Sequence, residues 1–195
     1  AAMTRLSVTL QMLQVHVLNA LSLETLLTEK DTLEVWGYNG TKSRVVLPLT
    51  GSERGTFGAG FYVGDLACAV EFACEDNGEV LEFRIELQSP LIYDPDFDHE
   101  YDFDSPAVGL IQQLFDAKEA HEIIERSMAG DGYFGAEVRQ RVLERGFDGV
   151  IVDYGDGIFE AVIYGDVGPL LERIMSVSEA KELLAPIATA SARLG

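Results

Sequence analysis

Residues 146–164, Gly-Phe-Asp-Gly-Val-Ile-Val-Asp-Tyr-Gly-Asp-Gly-Ile-Phe-Glu-Ala-Val-Ile-Tyr, constrain the fold more than any other stretch. Two apolar, β-branched runs flank Gly155-Asp156-Gly157, a pattern that specifies an antiparallel hairpin. The second run carries one carboxylate, Glu160, between Phe159 and Ala161. An ionised carboxylate among apolar neighbours is costly unless it faces a cleft or a partner. Glu160 is therefore the first candidate for chemistry, with a strand residue turned to solvent as the plain alternative.

The chain has 195 residues, 47% of them hydrophobic, and a single domain over 1–195 is expected. No apolar run reaches the ~18 residues of a membrane span. Leu6 to Leu21 is rich in Leu and Val but is broken by Gln11, Gln14, His16 and Asn19. It reads as an amphipathic helix on the core rather than as a signal peptide. With 14 basic and 33 acidic residues the net charge is −19. That charge repels phosphate backbones, so nucleic acid is disfavoured, and it favours a basic protein partner or simply solubility.

Cys68 and Cys74 fall on different sides of one expected helix, so a mutual disulfide is disfavoured and a reducing cytoplasm is the default. His16, His99 and His121 are scattered and form no zinc pattern with the cysteines. Asp94-x-Asp96-x-Asp98 resembles the start of a calcium loop. An EF-hand, however, needs Gly at its sixth and Glu at its twelfth position, where this chain has His99 and Ser105. No metal is expected, and the segment reads as a solvated acidic loop.

Periodicity predicts helices within 4–29 and a strand from Leu33 to Tyr38 that breaks at an Asn39-Gly40 turn. A short strand over Val45–Leu47, a mobile Gly-rich loop over 51–60 and a strand over 60–63 follow. Asp65 is expected to cap a helix reaching about Ala73. Val80 to Leu87 alternates strictly, as a half-exposed strand does, and Ser89-Pro90 ends it. A helix opens at Ser105-Pro106 and runs to about Met128. A second spans Phe134 to Arg145 with Gly146 as its C-cap. Terminal helices are expected over 167–174 and 177–193. The order is α+β, with strands grouped around a helical insert.

Three pieces carry candidate chemistry. In Trp36-Gly37-Tyr38-Asn39-Gly40-Thr41, Gly40 permits close approach to a backbone whose N–H and C=O can pair with an amide. Gly58-Ala59-Gly60-Phe61-Tyr62 delivers an aromatic, and Tyr62 and Phe72 are expected as two walls around a flat ring. Phe159-Glu160-Ala161 supplies the carboxylate. Singly, each has a bland reading: a turn, a core tyrosine, a packed helix face.

In combination and order these pieces resemble the ADP-ribosyltransferase superfamily, in the branch shared by diphtheria-type toxins and poly(ADP-ribose) polymerases. Its motif is His-Tyr-Glu. Tyr38-Asn39-Gly40-Thr41 stands where the family has Tyr-His-Gly-Thr. Gly60-Phe61-Tyr62, with Phe72 on the following helix, stands where the family has Gly-x-Tyr and a second aromatic. Gly146-Phe147-Asp148-Gly149-Val150-Ile151, with Glu160 before Ala161-Val162-Ile163-Tyr164, is similar to the family's last strand pair. Asn39 replaces the family His and cannot carry charge; Phe72 replaces a Tyr and keeps only its stacking face.

The resemblance implies a split β-sheet core over 33–175 with a helical insert, an N-terminal helical extension over 1–30 and a C-terminal helix over 177–195. It implies NAD as co-substrate, bound by Asn39, Gly40, Thr41, Tyr62 and Phe72, with Glu160, Asn39 and Tyr62 catalytic. The implied activity is mono-ADP-ribosyl transfer to a protein, as in bacterial or phage effectors, in the cytoplasm of the producing or a target cell. Two alternatives stay open: an NAD glycohydrolase, and a silent module of this fold that binds a protein, which Asn39 favours.

Overall fold

The computed structural model describes residues 33–74, 77–95, 101 and 105–191. The expected helices within 4–29 and most of the acidic loop after Asp94 lie outside the described residues. The described strands are β1 (Leu33–Thr41), β2 (Phe61–Gly64), β3 (Glu79–Leu87), β4 (Pro90–Tyr93), β5 (Gly149–Gly155), β6 (Ile158–Ile163) and β7 (Leu171–Ser176). The described helices are α1 (Leu66–Phe72), α2 (Ala107–Leu114), α3 (Ala117–Ala129), α4 (Gly135–Glu144) and α5 (Val177–Ser191). The class is α+β, with one seven-stranded mixed sheet in the order β4-β5-β6-β2-β1-β3-β7. Only β4 and β5 run parallel.

The β5–β6 hairpin forms as its residues dictate. Gly155, Asp156 and Gly157 all take positive φ, at 81°, 54° and 80°, the region that glycine enters without strain. Gly146 closes α4 at φ 84°. β3 alternates as expected, with Leu81, Phe83, Ile85 and Leu87 buried. The Asp65 carboxylate accepts from Cys68 N at 3.0 Å and caps α1. Leu66, Ala69 and Val70 then fall on one buried stripe.

Six local expectations differ from the structure. The helix expected from Ser105-Pro106 to about Met128 is two, α2 and α3, because Phe115 turns extended and the Asp116 carboxylate caps α3 by accepting from Lys118 N and Glu119 N. β1 runs straight through Asn39-Gly40, because Leu33 to Thr41 pair without interruption to Leu87 to Glu79 of β3. Val45–Leu47 is not a strand; Val46 is 80% exposed, and the loop is tied by Val45 N donating to Glu79 Oε2 at 2.7 Å. The 51–60 segment is pinned by a Ser52–Gly60 bridge and by a wholly buried Phe57. Ser89-Pro90 does not end the sheet but opens β4, where the Asp148 carboxylate accepts from Gln88 N and Ser89 N. Residues 171–176 form a strand rather than a helix, because β3 offers a free edge that β7 completes.

Register sorts the sheet's side chains onto two faces. One face forms a single cluster drawn from both halves of the sheet, including Leu33, Leu81, Phe83 and Ile85 with Phe61, Val63, Ile151 and Ala161. Phe61 of β2 meets Phe83 of β3 edge-on at 5.0 Å between centroids, across the intervening β1. Gly37 of β1 makes room, since a Cβ there would lie 2.7 Å from both Ile85 Cδ1 and Val63 Cγ2. At the β1–β2 seam one registered pair, Tyr38 with Gly64, joins the strands.

The other face carries the helices, in two separate groups. α2, α3 and α4 cover Val150, Val152 and Val162. α1 and α5 cover Tyr38, Val80 and Met175.

Candidate functional site

Register across four strands sets Tyr38, Gly64, Glu160 and Val152 side by side on the helix-bearing face. Tyr38 belongs to the cluster under α1 and α5, and Val152 to the cluster under α2–α4. Gly64 has no side chain, and Glu160 belongs to neither cluster. The register therefore sets the half-buried carboxylate on the sheet between the two helical groups. Burial holds the Glu160 carboxyl above its ordinary value, with a hydrogen bond from Tyr154 pulling the other way. Desolvation of the charged form is the dominant cause.

Tyr62 lies on the same face as Glu160, one alternate position along β2 from Gly64. Its hydroxyl accepts from Phe57 N at 2.9 Å and donates to Gly58 O at 2.7 Å. Burial pushes its pKa up, with Glu160 among the smaller contributors. The loop closes on the ring so tightly that a Cβ on Gly55 would lie 2.1 Å from Tyr62 Cζ.

Asn39 sits opposite Leu81, a member of the inner cluster, so strand alternation assigns it to the inner face. Its amide nonetheless reaches across the seam, where Nδ2 donates to Tyr62 O at 2.8 Å. The structure thus puts the strands of Asn39, Tyr62 and Glu160 side by side, with Tyr62 and Glu160 on one face and Asn39 joined to the Tyr62 backbone.

The remaining residues expected around NAD divide. A Cβ on Gly40 would lie 2.2 Å from Ala69 O, so the bare face of Gly40 receives α1 rather than open space. Any amide recognition there rests on the in-plane N–H and C=O at the seam. Thr41 Oγ1 is directed to Ser43 O at 2.6 Å and Glu79 O at 3.3 Å, which fixes the following loop. Phe72 is 59% exposed, with Lys42 Nζ 5.4 Å from its ring centroid. That is a cation–π contact at the end of α1 rather than a wall packed against Tyr62.

No protein-family model matches this chain, and no curated protein sequence does. Among solved structures, an anti-CRISPR protein aligns at 14% identity over 69% of this chain and 92% of that one, with a TM-score of 0.33. A likeness that distant carries no argument about fold or activity.

Sequence reasoning missed Tyr154 and Cys68 beside Glu160, and read Asp65 only as a helix cap. Tyr154 donates to Glu160 Oε2 at 3.4 Å. Cys68 of α1 has its thiol pushed up to about 11, by burial first and then by the Asp65, Glu71 and Glu160 carboxylates. Asp65 keeps Oδ2 buried without a hydrogen-bond partner. The Val63-Gly64-Asp65 step was the available signal, since a glycine between a strand and a cap leaves a bare floor.

Chemically, the sheet here offers a partly desolvated carboxylate, Glu160, with the Asp65 carboxylate at the start of α1. Such acceptors suit the hydroxyls of a sugar and a developing positive charge. A cavity of about 670 Å³ lies elsewhere, between the 51–60 loop and α4, and none of Asn39, Tyr62 or Glu160 lines it. Among the described residues no helix is long and apolar enough to cross a membrane, and no group of three or more His, Cys, Asp or Glu could hold a metal ion.

Proposed function

We propose that this protein is an NAD-dependent mono-ADP-ribosyltransferase with the split-sheet core of that superfamily, acting on a protein acceptor. The observation that carries the reading is Glu160: a half-buried carboxylate between the two helical groups, on a strand next to that of Tyr62, which Asn39 ties to the third strand. In this reading the nicotinamide of NAD lies beside Tyr62. The bond from ribose C1′ to the nicotinamide nitrogen breaks, and its electron pair leaves with nicotinamide. Glu160 accepts a hydrogen bond from the ribose 2′-hydroxyl and stabilises the positive charge that grows on the sugar. The acceptor's nucleophile then bonds to C1′, and its proton passes to Glu160. Asp65 Oδ2 is a further acceptor for ribose hydroxyls. The net charge of −19 favours an acceptor with a basic surface.

A second reading is a silent module that keeps the fold and binds a protein. It is favoured by the Asn39 amide already held on Tyr62 O and by the exposure of Phe72. Incubation with adenylate-labelled NAD and a cell lysate separates the two. The transferase reading expects a labelled protein band with wild type and none with Glu160→Gln. No band, together with no heat on titrating NAD into the protein, would leave the silent module standing. Nicotinamide release without a band would make it a glycohydrolase.

A further inference from the structure

We infer that Tyr154 is the positioning residue for Glu160: a β-bulge delivers its hydroxyl to Oε2 and holds the carboxylate in one orientation. This rests on the transferase reading of Glu160 given above.

Along the hairpin, Val152 pairs with Glu160 and Asp153 with Phe159, but Gly155 rather than Tyr154 pairs with Ile158. Tyr154 is the extra residue. Bulges of this kind re-aim a side chain and recur beside active sites. The bulge is built locally: Asp153 Oδ1 accepts from Gly155 N at 2.9 Å, and the positive-φ turn follows at once. Alternation keeps Tyr154 on the face of Val152 and Glu160, which puts its hydroxyl 3.4 Å from Oε2. That is long for an O–H···O bond, and bonds to catalytic carboxylates commonly tighten when substrate enters.

The groups facing Glu160 are Tyr154 from β5, Tyr62 from β2, and Cys68 from α1 with Asp65 and Glu71 beside it. None is a cation. Tyr62 has its hydroxyl committed to the 57–58 loop. Among the described residues Tyr154 alone donates a hydrogen bond to this carboxylate. Glu160 cannot turn away without losing that donor.

The hydroxyl also favours the charged carboxylate, opposing burial. Without it the carboxyl stays protonated to higher pH. Tyr154→Phe keeps the ring and removes only the hydroxyl. The expected result is a roughly tenfold lower kcat for nicotinamide release on the acid side of the pH profile. The acid limb moves to higher pH, and KM for NAD changes by less than about twofold. A profile that superimposes on wild type, or a raised KM at unchanged kcat, overturns the proposal. A readout independent of turnover is the pH titration of the Glu160 side-chain carboxyl by carbon-13 resonance. It should move upward in Tyr154→Phe, even for a protein that turns over no NAD. An unmoved titration overturns the positioning role whatever the activity. Absent wild-type turnover with a moved titration would instead sink only the transferase reading.

Discussion

Gly40→Ala separates two explanations of the same glycine. The sequence suggests that Gly40 is bare so that a ligand can approach the backbone; the structure fills that space with α1. An added Cβ would lie 2.2 Å from Ala69 O, 3.0 Å from Ala69 C and 3.2 Å from Ala73 N. All three are backbone atoms of α1 or its C-cap, so no side-chain rotation relieves the clash. Restoring ordinary contact needs α1 to move by about 1 Å. That would disturb the packing of Leu66, Ala69, Val70 and Ala73 on Tyr38, Val80 and Met175. Overpacking costs about 1–3 kcal/mol when side chains can adjust, so the upper end applies here. For a domain of this size about 3 kcal/mol lowers Tm by roughly 6–12 °C. Thermal melting followed by circular dichroism reads the shift. Gly165→Ala is the control, since an added Cβ there meets nothing within 4 Å; it should stay within roughly 0.5 kcal/mol of wild type. A Gly40→Ala protein that melts within about 2 °C of wild type but binds NAD poorly would refute the packing argument.

Three further outcomes follow from the site. The native state binds the Glu160 proton more tightly than the unfolded chain does, so stability falls as pH rises from the ordinary glutamate range through the raised native value. Glu160→Gln should therefore melt above wild type at pH 7, and the difference should vanish below about pH 4 in calorimetric scans. Tyr62→Phe leaves Phe57 N–H and Gly58 C=O without their shared partner; it should cost about 1–3 kcal/mol and speed protease cleavage within 53–59. Asn39→Ala removes the donor to Tyr62 O. It should cost about 1 kcal/mol and quicken amide hydrogen exchange at the β1–β2 seam, while β1 amides bonded to β3 keep their protection.

The parts legible in the sequence are those where one local rule decides. Gly155-Asp156-Gly157 forces a turn, Leu81 to Leu87 alternates, and Asp65 caps α1 because nothing else nearby can. Misreadings arise where distant pairing overrides a local signal. Asn39-Gly40 is a turn dipeptide in isolation, yet uninterrupted pairing to β3 holds it extended. Leu171-Glu172-Arg173-Ile174-Met175 has helical spacing, yet only Met175 of the strand is buried and edge pairing decides. Ser89-Pro90 reads as a stop, yet proline is tolerated at the start of β4, on the sheet's edge.

At the site, Glu160 was legible because a carboxylate inside an apolar strand is costly and calls for a reason. Tyr154 was not, because a bulge is set by pairing across the hairpin rather than by composition. Gly40 misled for a related reason: a glycine announces close approach but not what approaches.

The account turns on the carboxylate between the two helical groups. The most direct measurement is the initial rate of nicotinamide release from NAD by wild type and by Glu160→Gln at equal, folded concentration. The prediction is measurable release by wild type and a loss of about 100-fold or more in the variant. Equal rates for the two proteins would contradict it.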